Sequence, residues 1–390
     1  MPGAKLPITI GYLTIEDARD RRSWSGTHHF LLKELERHVE RVELIGPLRE
    51  TVAVKATRAL NQVFLRVPGK RFNWRASPWV ARSYARLIEQ RLRAKPVDLI
   101  IAPAGLATTA FLRADAPIIY INDRCIAGAL GYHDVLQNLF DWSREQSLNI
   151  ERAALGNAAL CVFSSDWAAD AARKAVPEAA PRIRMIPFGA NLPEAPPSPG
   201  TGTWPRGPVK LLFLGVNWEE KGGPIAYAAL LALKRAGVQA QLVVCGCQPP
   251  PVCDDPGLIR EGFLDKNKPS ELARLQEHLR TADFLLLPTR FEAYGIVFCE
   301  AAAHGLPVLA TRTGGIPTIV QEGVTGLLFD LDRPGEDYAE AVLRLMAHPD
   351  MLKGMREAAR KRYADMLNWT AFVGTMLHHA LPLVQPKSSR

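Results

Sequence analysis

Glu292 and Glu300 stand eight residues apart in TRFEAYGIVFCEAAAHGLPVLATRTGG (289–315), and Lys221 lies in a loop closed by Gly222, Gly223 and Pro224. A lysine beside a helix start suits a phosphate or diphosphate, because backbone N–H groups and a cation both stabilise anionic oxygens. Gly295 and Ile296 read as the opening of a short helix that Gly305 closes. Glu300 then falls among Phe298, Cys299, Ala301, Ala302 and Ala303. A carboxylate on so apolar a helix is costly to bury unless it accepts hydrogen bonds, and a ribose diol offers a matched pair of donors. An ion pair with a nearby arginine such as Arg290 would satisfy it too, and a solvated lysine in an ordinary strand-to-helix turn is the plainer reading of Lys221. With the turn Thr313, Gly314, Gly315 added, the set meets the needs of a nucleotide-linked sugar: cationic charge, helix amides, and acceptors for hydroxyls.

These residues follow short apolar runs of the kind that build a buried parallel sheet. VKLLFLG (209–215) ends at Gly215, just before Asn217, and DFLLLPT (283–289) ends just before Glu292. QAQLVVCG (239–246), PVLAT (307–311) and GLLF (326–329) continue the rhythm, as do PVDLIIAP (96–103), APIIYIND (116–123) and ALCVFSS (159–165) in the first half. Helix-length amphipathic stretches separate them, so the expected fold is α/β, with two Rossmann-like domains. The expected boundaries are 1–188 for the first domain, 189–208 for a linker rich in proline and glycine, and 209–367 for the second. A last helical segment within 368–390 is expected to return to the first domain.

A chain of 390 residues that is 47% hydrophobic and 23% charged supports two cores. The N-terminus has no basic stretch with a small-residue cleavage site, and the longest apolar stretch, Leu99 to Leu112, is interrupted by Pro103 and Gly105. A cytoplasmic protein follows as the expectation. The six cysteines form no CxxC pair and read as reduced core thiols. Asp330-Leu331-Asp332 imitates a metal-binding pair but follows the last strand, where capping of the next helix is the simpler expectation, and no metal is expected. From Arg49 to Lys95 twelve lysines and arginines are opposed only by Glu50 and Glu89, with Phe72, Trp74 and Trp79 interleaved. That pattern suits an anionic lipid surface on the inner face of the membrane, an acidic acceptor, or a solvated helical face. Nucleic acid is not expected, since no base-reading signature accompanies it.

The stretch from Glu292 to Phe329, ending in GGIPTIVQEGVTGLLF, resembles the signature of family-four retaining glycosyltransferases of GT-B fold. The likeness covers the C-terminal domain, with SGTHHFLLKELE (25–36), SSDWAADAAR (164–173) and MIPFGAN (185–191) adding weaker support. It implies two Rossmann-like domains facing each other across a cleft and transfer of a sugar from a nucleotide-diphosphate donor, UDP or GDP being the expected carriers, to a glycan or glycolipid hydroxyl without a metal. Glu292 would contact sugar hydroxyls and Glu300 the ribose. The backbone at Ala293, Tyr294, Gly295 and Ile296 would hold sugar and phosphate oxygens, and Lys221 the diphosphate. The loop Gly262, Phe263, Leu264 matches the base site, and Gly26 the glycine loop of the first domain that faces the phosphates. Two departures stand out. The family's arginine after the strand-end glycine is Val216 here, with Arg290 or Arg312 as candidate substitutes. Its histidine after the strand IIYIN is replaced by Asn122 and Asp123, which makes Asp123 the candidate for orienting the reacting sugar or acceptor hydroxyl. His28 and His29 lie near the glycine loop, where contact with the acceptor and a plain polar helix start are both open readings. A silent binding protein or a sugar-nucleotide epimerase of the same fold are the alternatives.

Overall fold

The computed structural model describes residues 5–67, 69–132, 136–197 and 207–384. Two units divide the chain: Met1–Ile186 with Phe372–Arg390, and Pro187–Ala371. Within the described residues each unit is built on a six-stranded parallel sheet.

In the first unit the strands are β1 (Leu6–Tyr12), β2 (Val39–Leu44), β3 (Leu99–Pro103), β4 (Ile118–Asn122), β5 (Leu160–Phe163) and β6 (Ile183–Met185), in the spatial order β2-β1-β3-β4-β5-β6. Strands β3 and β5 are covered on both faces, which is why they read as unbroken apolar runs: every residue of each is buried. Burying each such Leu or Ile stabilises the sheet by about 1.5–3 kcal/mol. Edge strand β2, VERVEL, instead buries only Val39 and Glu43 and leaves Glu40 and Arg41 exposed.

The second unit contains β7 (Val209–Leu214), β8 (Ala240–Cys245), β9 (Leu258–Gly262), β10 (Phe284–Leu287), β11 (Val308–Thr311) and β12 (Gly326–Phe329), in the order β12-β11-β10-β7-β8-β9. Counted within the unit, this is the doubly wound order of dinucleotide-binding folds, and it reverses between β7 and β10. In open sheets of this kind ligands bind beyond the carboxyl ends of the strands at that reversal. The corresponding reversal in the first unit lies between β1 and β3.

The stretch expected as a linker begins as buried structure of the second unit. Phe188, Ala190 and Asn191 are buried, the Ala190 N–H donates to the Leu367 carbonyl, and the Trp369 indole N–H donates to Asn191 Oδ1 at 3.0 Å. Phe188 stacks on Trp369. The apolar anchor in PFGAN outweighs the proline-rich composition that follows, of which 198–206 lies outside the described residues. The last helix spans Trp369–Ala380, and the first unit resumes at Phe372 within it; 385–390 are outside the described residues. The helix after β12 is capped at Pro334 rather than by Asp330 or Asp332. Among the described residues no helix is long and apolar enough to cross a membrane.

Candidate functional site

The chain leaves β7 at Gly215 and turns through 217–222 before the helix Gly223–Arg235. Asn217 builds this turn, its Oδ1 accepting the Glu220 N–H and its carbonyl the Lys221 N–H, both at 3.1 Å. Gly222 closes it at φ +77°, where a Cβ would run into the Pro288 carbonyl. The loop after β10 is tied to the same turn, since the Arg290 N–H donates to the Glu220 carbonyl at 2.8 Å. Two loops from the strands flanking the reversal are thus locked together. Their meeting point is an ion pair, Lys221 Nζ to Glu292 Oε2 at 2.8 Å, with side chains 18% and 16% exposed.

Gly295 then starts the helix Ile296–Ala303 at φ +92°, and a Cβ there would strike the Phe298 ring. The first-turn amides of such a helix lack the usual partner four residues back, and here the Phe298 N–H turns to the Gly295 carbonyl at 3.0 Å. Tyr294 contributes backbone only, because its side chain is buried with the hydroxyl donating to the Phe188 carbonyl at 2.8 Å, and burial pushes that phenol well above its ordinary pKa. The turn Thr313, Gly314, Gly315 closes against the loop, with the Gly315 N–H pointing to the Glu292 carbonyl at 3.4 Å.

Glu300 is buried, as its setting demanded, but its partner is Lys266 at 2.7 Å rather than Arg290. Lys266 lies in the loop that begins at Gly262, so the pair holds that loop, with Phe263 61% exposed in it, to the Glu300 helix. Sequence reading missed this lysine, although its closeness to Gly262, Phe263 and Leu264 was the available signal. Of the two arginines named as substitutes for the missing cation, Arg290 donates to the Leu331 carbonyl, and Arg312 pairs with Glu322 at 3.0 Å and points to the Leu328 carbonyl. Val216 itself is 72% exposed.

In the first unit Trp24, Ser25 and Gly26 take successive positive φ values of 47°, 58° and 94° ahead of the helix Thr27–His38. Such a conformation costs a non-glycine residue roughly 1–2 kcal/mol. The Trp24 indole N–H donates to Asp123 Oδ2 at 3.1 Å, bringing the loop after β1 to the end of β4. His28 is a core residue rather than an acceptor contact. It is 2% exposed, its Nδ1 lies 3.1 Å from the Tyr12 hydroxyl, and burial lowers its pKa to about 4. His29 is half-buried against the Arg19 carbonyl, and burial, then the charge of Arg21, lowers its pKa.

Residues 208–348 match the family model of Glycosyl transferases group 1. A D-inositol 3-phosphate glycosyltransferase of Corynebacterium jeikeium is 29% identical over 255 residues, 60% of each protein. One from Geodermatophilus obscurus is 35% identical over 109 residues, 28% of this chain and 23% of that protein. The chain therefore spans less than two thirds of the length of these curated relatives. Among solved structures, Anabaena HepE in complex with UDP and glucose aligns over 95% of this chain and 98% of its own, with a TM-score of 0.56 and 16% identity. A sucrose-phosphate synthase from Thermosynechococcus elongatus aligns over 97% and 99%, with a TM-score of 0.64 and 17% identity. The fold is that of these solved neighbours, GT-B, and the match to the group 1 family model lies within the second unit.

Proposed function

We propose that the protein is a retaining glycosyltransferase whose second unit binds a nucleoside-diphosphate sugar. The observation that carries the reading is the Lys221–Glu292 pair at the sheet reversal, beside a helix start and a second carboxylate, the buried Glu300, on that helix. A diphosphate would draw Lys221 and the amides after Gly295 to its oxygens, freeing Glu292 to accept hydrogen bonds from sugar hydroxyls. Glu300 would accept from the ribose, and the exposed Phe263 ring would lie against the base. The group 1 family match, and the UDP and glucose held by HepE, support this assignment.

In the reaction the bond from the anomeric carbon to the phosphate oxygen breaks while the acceptor oxygen bonds to that carbon on the same face. The acceptor proton passes to the departing phosphate, leaving a nucleoside diphosphate and a glycoside. The protein supplies position and charge rather than a nucleophile, with Lys221 stabilising the leaving diphosphate. Asp123 is assigned to the acceptor hydroxyl of a glycan or glycolipid. The exposed Val216 leaves one cation fewer than the resemblance implies, an observation that favours a silent binding protein as the second reading.

Thermal-shift titration with UDP, GDP, ADP and their sugars tests the site. A ligand at 100 times its Kd stabilises the native state by about 2.7 kcal/mol. Nucleotide release measured with and without acceptors then separates the readings: release that rises with an acceptor supports a transferase, and binding without any release supports the silent protein. No stabilisation by any of these nucleotides would remove the donor site altogether.

A further inference from the structure

The helix Val52–Arg66 carries two apolar sides. One is turned inward, with Val54 and Thr57 each 2% exposed. Elsewhere on its surface stand Val52, Leu60, Val63 and the C-cap residue Val67, exposed by 84, 40, 54 and 81%. At 3.6 residues per turn these four fall within about 80° of one another, away from the buried pair. Lys55 and Arg66 adjoin them on one flank, both exposed.

The ridge extends to an aromatic end. Thr51, the N-cap of this helix, hydrogen-bonds through Oγ1 to Ser83 Oγ at 2.8 Å. Trp79 lies one turn before Ser83 in the helix Pro78–Ala94 and is 65% exposed. The segment from Arg49 to Lys95 that carries this ridge holds twelve basic residues and two acidic ones, Glu50 and Glu89, although Lys95 is itself paired with Glu43 at 2.8 Å. Glu50 is itself paired with Arg58 at 2.6 Å.

We propose that this face docks on an anionic lipid bilayer. Val52, Leu60, Val63 and Val67 enter the boundary between headgroups and acyl chains, Trp79 sits at the interface, and Lys55 and Arg66 meet the headgroup charge. An aliphatic ridge edged by cations with an indole at its end has the chemistry of an interfacial helix, and the excess positive charge selects an anionic partner. The inference stands apart from the sugar-transfer reading, since it uses none of the donor-site residues.

The test is flotation of the full chain with vesicles of phosphatidylcholine alone or mixed with phosphatidylglycerol, at low and high salt. The parent should float with the mixed vesicles at low salt and be released by high salt. The pair Val52→Asp with Val63→Asp should lower the partition constant at least tenfold. Lys55→Gln and Arg66→Gln should each lower it about fivefold. All these positions are exposed, so circular dichroism should show unchanged melting, and nucleotide binding serves as a second control on folding. A parent that ignores phosphatidylglycerol overturns the proposal, as does an aspartate pair that floats like the parent. A concentration-dependent dimer abolished by the aspartate pair, without vesicle binding, would assign the face to a second copy of the chain and overturn it too.

Discussion

Lys266→Met removes the cation 2.7 Å from Glu300 while keeping a side chain of comparable reach. Unit charges at that separation attract by about 6 kcal/mol at an effective dielectric of about 20, and much of this is offset by taking the carboxylate out of water. Removing one partner of a fully buried pair costs about 3–5 kcal/mol, because the other charge is left uncompensated. Glu300 is 2% exposed but Lys266 is 21% exposed, so water screens part of the interaction. A loss of about 2–3 kcal/mol is therefore expected, or roughly 5–10 °C in Tm for a unit of this size. The assay is urea unfolding followed by tryptophan fluorescence, run on Lys266→Met, Glu300→Gln and the double variant. The double variant should lose less than the two single losses combined, with a coupling of about 1–3 kcal/mol. A Lys266→Met variant within about 0.5 kcal/mol of the parent, or an additive cycle, would show that the pair contributes no such stability.

Gly222→Ala should destabilise by more than the roughly 1–2 kcal/mol of a left-handed backbone alone, because the new methyl also meets the Pro288 carbonyl; a Tm equal to the parent's would contradict the turn described. Burial holds His28 at a pKa of about 4 against an ordinary 6.5, so the unfolded chain takes up the proton first as pH falls. The stability this site gives is therefore complete above pH 6.5 and drains away down to pH 4, by about 3 kcal/mol in all. His28→Gln should flatten that part of the pH–stability curve, and an unchanged curve would count against it. Glu292→Gln should lower kcat/KM tenfold to a hundredfold, the worth of a charged hydrogen bond of about 1.5–3 kcal/mol, while UDP or GDP affinity moves about threefold or less. Equal losses in both would place Glu292 on the nucleotide instead of the sugar.

Central strands were legible because burial on both faces writes continuous apolar runs, as in LIIAP and FLLL. Edge strands β2, β6 and β9 were not, since solvent on one side admits Glu40, Arg41, Arg184 and Arg260 and breaks the run. Glu300 was readable from its apolar neighbours, whereas its partner was not, because a lysine 34 positions away in the run Asp265, Lys266, Asn267 looks solvated in sequence. His28 carried a signal that the adjacent His29 obscured. It falls in register with Leu31, Leu32 and Leu35 on the buried side of its helix. The buried start of the linker was hidden for another reason, since only the fold brings Phe188 to Trp369.

The central claim is that Lys221 and its neighbours hold a diphosphate, and isothermal titration of UDP and GDP into the parent chain and Lys221→Ala tests it most directly. At least one nucleotide should bind the parent, and Lys221→Ala should weaken it about tenfold to a hundredfold, the worth of one charge-assisted contact to phosphate. Binding that is equally tight in both proteins, or absent from the parent for both nucleotides, would contradict the account.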